Sequence, residues 1–309
     1  MGEWIVYVNG EYVGESEARI SIYDRSFLLG DAVFEVGRTF NRVPFRLREH
    51  IDRLFRSLRY TKIDPHMTPE EMYDITLELL RRNDENLVPG HDHWFWQIVS
   101  RGLITPAGYG LSAATDPTVV LFERPLPFRA YAKMYRDGSH LVTVPIKHVP
   151  SVCLDPRVKH HSRMHFVMAE LEAKAVDPNA YPLILDLNGF LTEGSSFNIF
   201  VVKRGKLFTP RGTDVLEGIT RAAILELAKE LGIESYEADL TPYDLYNADE
   251  IIMTATSFTL LAVNKVDKRP LTGPIPGPVT ERLLSAFNKL VGVDIVQQAL
   301  SVEGRSVRS

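Results

Sequence analysis

Between residues 182 and 209 the chain alternates short apolar segments with turn dipeptides, and no other stretch limits the fold as much. Strand-like segments at 182–186, 190–193, 197–203 and 206–209 are separated by Asn188-Gly189 and Arg204-Gly205. Such dipeptides supply the positive φ that two-residue hairpins require, so the run predicts strands joined by hairpin turns at those two points. The N-terminal third is also mixed. Residues 4–8 read as a strand ending in the Asn9-Gly10 turn, and 33–40 with 43–45 form a second pair. Ile51, Leu54, Phe55 and Leu58 recur at i, i+3, i+4 and i+7, which predicts a helix over 48–60. Thr68-Pro69-Glu70-Glu71 opens another helix with an N-cap, a proline in the first turn and two acids. Strands at 94–100 and 117–123 complete this part. Beyond it the pattern predicts strands near 140–146 and 250–253, and helices over 162–176, 219–231 and 279–291. The fold class is therefore α+β.

A length of 309 residues suits two domains. Glu123-Arg124-Pro125-Leu126-Pro127-Phe128 carries two prolines and no periodicity, so a linker is expected at 124–131. That divides the chain into a small domain at 1–123, a large one at 132–300 and a frayed polar tail at 301–309. With 35 Lys+Arg against 40 Asp+Glu the net charge is −5, which argues against a nucleic-acid binder. No apolar run approaches a membrane span, and the first residues lack a signal-peptide layout, so a cytoplasmic location is expected. Cys153 is the only cysteine, which excludes an intrachain disulfide and a cysteine-built zinc site. No metal is expected.

Four constellations could carry chemistry. Arg157-Val158-Lys159-His160-His161-Ser162-Arg163 surrounds a lysine with cationic neighbours, a setting that favours a neutral, nucleophilic amine. Adjacent His160 and His161 point apart and make a poor metal pair. Leu191-Thr192-Glu193-Gly194-Ser195-Ser196-Phe197-Asn198 places a carboxylate at a strand end among small residues. Leu216-Glu217-Gly218-Ile219-Thr220-Arg221 feeds a glycine turn into a helix start, whose free N–H groups suit a phosphate. Thr254-Ala255-Thr256-Ser257-Phe258-Thr259 offers hydroxyls and amides to a phosphate or a carboxylate. Each alone also fits an ordinary loop, turn, helix start or strand end. Together they supply the roles that imine chemistry on a phosphorylated aldehyde demands.

Their order resembles that of the class IV pyridoxal-phosphate aminotransferases, the fold-type IV group. This group contains branched-chain aminotransferases, D-amino-acid and (R)-amine transaminases, and aminodeoxychorismate lyase. The likeness runs from Val8-Asn9-Gly10 to about Val291. It is most specific in DLNGFLTEGSSFNIFVVKRGKLFTP, LEGITR and LYNADEIIMTATS, and in the interval from Lys159 to Glu193. The resemblance implies a small N-terminal lobe, a larger lobe with a barrel-like sheet, and pyridoxal 5′-phosphate at the lobe interface. It implies that Lys159 is the Schiff-base lysine and proton shuttle, and that Glu193 faces the pyridine nitrogen. Leu216 would pack on the ring. The amides of Ile219 and Thr220, the Thr256 hydroxyl and Arg53 would hold the phosphate. A homodimer is implied as well.

Substrate choice is less constrained. The strand that carries a Tyr-x-Arg pair in branched-chain enzymes reads Trp94-Phe95-Trp96-Gln97 here. The loop that supplies arginine or histidine in the D-amino-acid and amine enzymes reads Leu103-Ile104-Thr105-Pro106-Ala107-Gly108-Tyr109-Gly110, with neither. Asp155-Pro156-Arg157-Val158 before the lysine is closer to the amine-transaminase branch. Met164 stands where branched-chain enzymes carry a tyrosine that supports the cofactor hydroxyl. Phe34 and Arg38 match the branched-chain pattern. The expected pocket is therefore aromatic, with Phe34, Trp94 and Trp96, one arginine, Arg38, and the Ser257 hydroxyl. The expected reaction moves an amino group between a hydrophobic or arylalkyl amine or amino acid and a 2-oxo acid. An (R)-amine or D-amino-acid type is favoured over a branched-chain one. The alternatives are a branched-chain aminotransferase, a lyase of the aminodeoxychorismate type, and a phosphate-ligand binder without chemistry.

Overall fold

Asn9 and Gly10 take φ of 48° and 100°. Their turn sets β1 (Ile5–Val8) antiparallel to β2 (Glu11–Gly14), with Val8 opposite Glu11. The computed structural model describes residues 2–104 and 116–303, and this hairpin opens the first of two units, Met1–Leu126 with Val158–Arg163. There follow α1 (Arg25–Leu29), β3 (Ala32–Phe40), β4 (Val43–Pro44), α2 (Leu47–Thr61), α3 (Pro69–Asn83), β5 (His93–Ser100) and β6 (Thr118–Pro125). α3 starts with a capping box: the Thr68 side chain accepts from the Glu71 N–H, and the Glu71 carboxylate accepts from the Thr68 N–H. The strands form one antiparallel sheet in the order β2-β1-β6-β5-β3-β4.

Alternation along the central strands gives this sheet two different faces. Val33, Phe95, Val99, Val119 and Leu121 pack with Leu47, Ile51, Leu54 and Leu58 of α2 and Met72 and Leu79 of α3 in one buried core. Gly37 belongs to that face, where any Cβ would collide with the Phe95 ring. The opposite face carries Phe34, Val36 and Arg38 of β3, with Trp96 across from Val36 and Trp94 across from Arg38.

The second unit comprises Pro127–Arg157 and Met164–Ser309. Its elements are α4 (Phe128–Asp137), β7 (Ser139–Lys147), α5 (Met164–Val176), β8 (Ala180–Leu185), β9 (Leu191–Gly194), β10 (Asn198–Lys203), β11 (Lys206–Thr209), α6 (Ile219–Glu230), β12 (Ser235–Glu237), α7 (Pro242–Tyr246), β13 (Glu250–Ala255), β14 (Thr259–Val266), β15 (Arg269–Pro270), α8 (Pro278–Val291) and α9 (Ile295–Glu303). The predicted strands are present as two hairpins, β8-β9 and β10-β11, which join a nine-stranded sheet in the order β12-β11-β10-β13-β14-β7-β8-β9, with β15 on β14. β9 ends the path yet leads directly into β10 through a tight turn closed by the Gly194 N–H on the Phe197 carbonyl (2.9 Å). The sheet therefore curls back toward itself.

Two stretches differ from the sequence expectation. The proline-bearing stretch 124–131 is mostly regular: β6 runs to Pro125 and α4 begins at Phe128. Pro127 precedes the helix, where its missing N–H costs nothing. The expected tail at 301–309 begins as the last turn of α9, which extends to Glu303; residues 304–309 lie outside the described residues. Among the described residues no helix is long and apolar enough to cross a membrane.

Candidate active site

In the first unit, the segment around Lys159 adds to the free edge of β3. The Phe34 N–H donates to the Lys159 carbonyl and the His161 N–H to the Ala32 carbonyl, both at 2.9 Å. The Lys159 N–H donates to Ser57 Oγ of α2 at 3.2 Å. These bonds hold the backbone whatever the side chain does. The Lys159 ammonium lies 4.5 Å from the centre of the Phe34 ring. His161 packs on the same ring at 4.7 Å between centroids. Burial, with Arg163 and Lys159 close by, pushes the His161 pKa down to about 4, so this imidazole is neutral in a cationic setting.

Arg53 is buried, not one more surface arginine of α2. Its Nε donates to Glu35 Oε1 (2.7 Å) and its Nη2 to Glu35 Oε2 (2.8 Å), a bidentate pair joined by His50 Nδ1 at 2.8 Å from Oε2. Burial alone would raise the Glu35 pKa, but the Arg53 charge and the hydrogen bonds from Arg53 and His50 hold it well below the usual carboxylate range. Burial keeps His50 neutral despite the carboxylate beside it. The sequence reading missed Glu35 and His50. Their signals were an acid within a buried strand and a histidine one helical turn before Arg53.

Phe34, Trp94, Trp96 and Arg38 share one sheet face, so a row of aromatic side chains leads away from Lys159. Trp94 and Trp96 lie 4.3 Å apart, and Trp96 stacks on Phe122 at 4.9 Å. Trp94 Nε1 is a buried donor with no hydrogen-bond partner among the described residues. Arg38, at the far end, is buried, with its Nε donating to the Thr39 carbonyl and its guanidinium 3.9 Å over the Phe40 ring. Its Nη2 is 3.8 Å from Asp92, so an incoming carboxylate would share this charge with Asp92. Of the loop expected to lack a carboxylate-binding arginine, residues 105–110 lie outside the described residues.

In the second unit, Glu193 sits at the end of β9 and is buried. It receives the Leu216 N–H at 3.2 Å on either oxygen, Asn198 Nδ2 at 3.4 Å and His148 Nε2 at 3.2 Å. Asn198 also donates to the Leu216 carbonyl (2.9 Å), which ties the loop before α6 to the carboxylate. Two residues on, Gly218 starts α6 without a capping side chain. A Cβ at Gly218 would collide with Asn198 Oδ1. Asn198 pairs with Thr254 across the strands, so the Thr256-Ser257 turn lies just past the start of β10. That turn ends at Thr259, a β-branched residue at φ 67°, a strained conformation of the kind that gathers at functional loops. Met164 is 72% exposed at the start of α5. Among the described residues no group of histidine, cysteine and acidic side chains could hold a metal.

A lysine in a cationic corner and a carboxylate locked beside an uncapped helix start are the parts of a phosphate-anchored amine chemistry. The amino-transferase class IV model matches residues 32–266, and the chain belongs to this family. It is 37% identical over 286 residues to the "Putative branched-chain-amino-acid aminotransferase" of Methanocaldococcus jannaschii, covering 92% of this chain and 96% of the relative. It is 30% identical to the D-alanine aminotransferase of Bacillus licheniformis, with 93% and 96% covered. Its fold matches the branched-chain amino acid aminotransferase of Escherichia coli with a TM-score of 0.86, at 28% identity over 94% of this chain and 95% of that one. The protein is thus a pyridoxal-phosphate-dependent aminotransferase of the fold-type IV kind. The residues present fit that coenzyme. The Ile219 and Thr220 N–H groups at the uncapped start of α6 suit a phosphate, and the carboxyl group of Glu193 suits a protonated pyridine nitrogen.

Proposed function

We propose that this aminotransferase transfers the amino group of a hydrophobic amino acid or arylalkyl amine to a 2-oxo acid. Lys159 is the amine that carries the coenzyme, Glu193 meets its ring nitrogen and Leu216 covers one ring face. The Ile219 and Thr220 amides, the Thr256 hydroxyl and Arg53 hold its phosphate. When bound, pyridoxal phosphate supplies an electron sink that acidifies the substrate Cα–H. Lys159, whose amine would hold the coenzyme, would also be the base that takes the proton from the substrate Cα. Glu193 would hold a proton on the coenzyme's ring nitrogen. The positive charges of Lys159 and Arg163, both over the Phe34 ring, favour anionic substrates.

The observation that carries the substrate class is the row Phe34, Trp96, Trp94 leading from Lys159. It offers an apolar, flat-sided wall with Arg38 at its far end; Ser257, in the second unit, is the other polar residue proposed for the substrate. A donor screen of L-leucine, D-alanine and (R)-1-phenylethylamine against pyruvate and 2-oxoglutarate tests this. L-leucine or the arylalkyl amine is expected to exceed D-alanine in kcat/KM by about tenfold or more; a preference for D-alanine removes the aromatic wall as the specificity determinant. The Methanocaldococcus jannaschii relative supports a branched-chain donor as the second reading. Release of pyruvate from a chorismate-derived substrate without an amino acceptor would instead mark the lyase chemistry.

Arg38→Ala is expected to raise KM for 2-oxo acids about tenfold, the loss of one charged hydrogen bond of about 1.5 kcal/mol. An unchanged KM takes Arg38 out of the pocket. We also propose a homodimer, supported by the apolar surface around α1, where Ile22 is 66% and Phe27 71% exposed beside Tyr23, Leu28 and Leu29.

A further inference from the structure

His148 plays no part in the roles above, yet it is buried against Glu193. Each ring nitrogen has one hydrogen-bond partner among the described residues, and both partners are acceptors. Nδ1 lies 3.1 Å from the Val149 carbonyl and Nε2 lies 3.2 Å from Glu193 Oε1. A carbonyl can only accept. Glu193 receives N–H groups from Leu216 and Asn198 as well, so its oxygens also act as acceptors. Both ring nitrogens must therefore carry protons, which makes the side chain an imidazolium. The backbone gives it little freedom, because the His148 N–H donates to the Leu185 carbonyl at 2.9 Å. The ring is wedged edge-on against His165 (5.7 Å) and Phe166 (5.8 Å).

We propose that His148 is a positioning residue that locks the Glu193 carboxylate in one orientation for the coenzyme's ring nitrogen and shares its charge. This rests on the assignment of Glu193 proposed above. The charged groups facing the imidazole are Glu193 from β9 and Asp214 from the loop before α6; His165 from α5 is the other titratable neighbour. Burial disfavours the His148 cation, but the bonds to Glu193 and Val149 and the charge of Asp214 outweigh it and raise the pKa. The pair is then a neutral unit below that pKa. Above it, the full carboxylate charge falls on the ring nitrogen alone. Protonation of His148 thus sets how strongly Glu193 holds the pyridinium proton.

The test uses ¹⁵N-labelled apoprotein and the holoenzyme together. In the apoprotein, both His148 nitrogens should titrate as one imidazolium above the ordinary histidine range, and Glu193→Gln should bring that titration down. In the holoenzyme, His148→Gln should lower kcat about tenfold with donor KM within about twofold, the pattern of a lost orienting partner. The absorbance–pH profile of the bound coenzyme should lose one inflection. His148→Asn, which keeps a donor but shortens its reach, should behave like the glutamine variant. A His148 that is neutral at pH 6 in the apoprotein, or a glutamine variant with unaltered kcat and pH profile, overturns the proposal while leaving the coenzyme assignment intact. A protein that takes up no pyridoxal phosphate overturns both.

Discussion

Replacing Lys159 by alanine should leave a folded protein that still binds pyridoxal phosphate and has lost transamination by about 10⁴-fold or more. The magnitude follows from two roles removed at once, the covalent anchor and the base that moves the Cα proton. Stability should change by no more than about 1 kcal/mol. The backbone at Lys159 is held by its own N–H on Ser57 and its carbonyl under the Phe34 N–H. The side chain adds its contact with the Phe34 ring. Single-turnover assays with thermal melts of both proteins separate the two effects, and full turnover by the variant would refute the assignment.

The largest stability effect should come from Glu35→Ala. Its carboxylate compensates the buried Arg53 guanidinium, and removing one partner of such a pair costs about 3–5 kcal/mol. A denaturant midpoint measurement reads that loss directly. The double variant Glu35→Leu with Arg53→Met removes both charges and should recover most of it, while coenzyme affinity stays low because the proposed phosphate contact is gone. If the double variant is as unstable as Glu35→Ala, the pair is not what sets the stability. The same pair fixes a pH dependence. Glu35 has a folded pKa held below its ordinary value of 4.5. Its contribution is therefore fully present above about pH 4.5 and lost as pH falls through the depressed folded pKa. Glu35→Gln should flatten that acid limb.

Local patterns along the chain carried much of the architecture. The Asn9-Gly10 turn, the α3 capping box, the helical stripe of α2 and the two hairpins β8-β9 and β10-β11 all follow from neighbours in sequence. Such features are set by backbone sterics and short-range periodicity, which a linear reading captures. The short helix α4 escaped because its flanking prolines read as a linker. Long-range ionic partners were hidden for a different reason. Glu35 and Arg53, or His148 and Glu193, lie far apart in sequence, and only the strand register and helix packing bring them together. The grouping of 158–163 with the first unit was equally invisible, since it depends on added strand pairing at the edge of β3. Arg38 shows the same limit: its place on the strand was readable, its neighbour Asp92 was not.

The central claim, that one lysine carries the coenzyme, is tested most directly by chemical trapping. The purified protein is saturated with pyridoxal phosphate, reduced with borohydride, digested and mapped by mass spectrometry. The account predicts a single phosphopyridoxyl group, on the peptide containing Lys159. A label on Lys147 or any other lysine in place of Lys159, or no label at all, would contradict it.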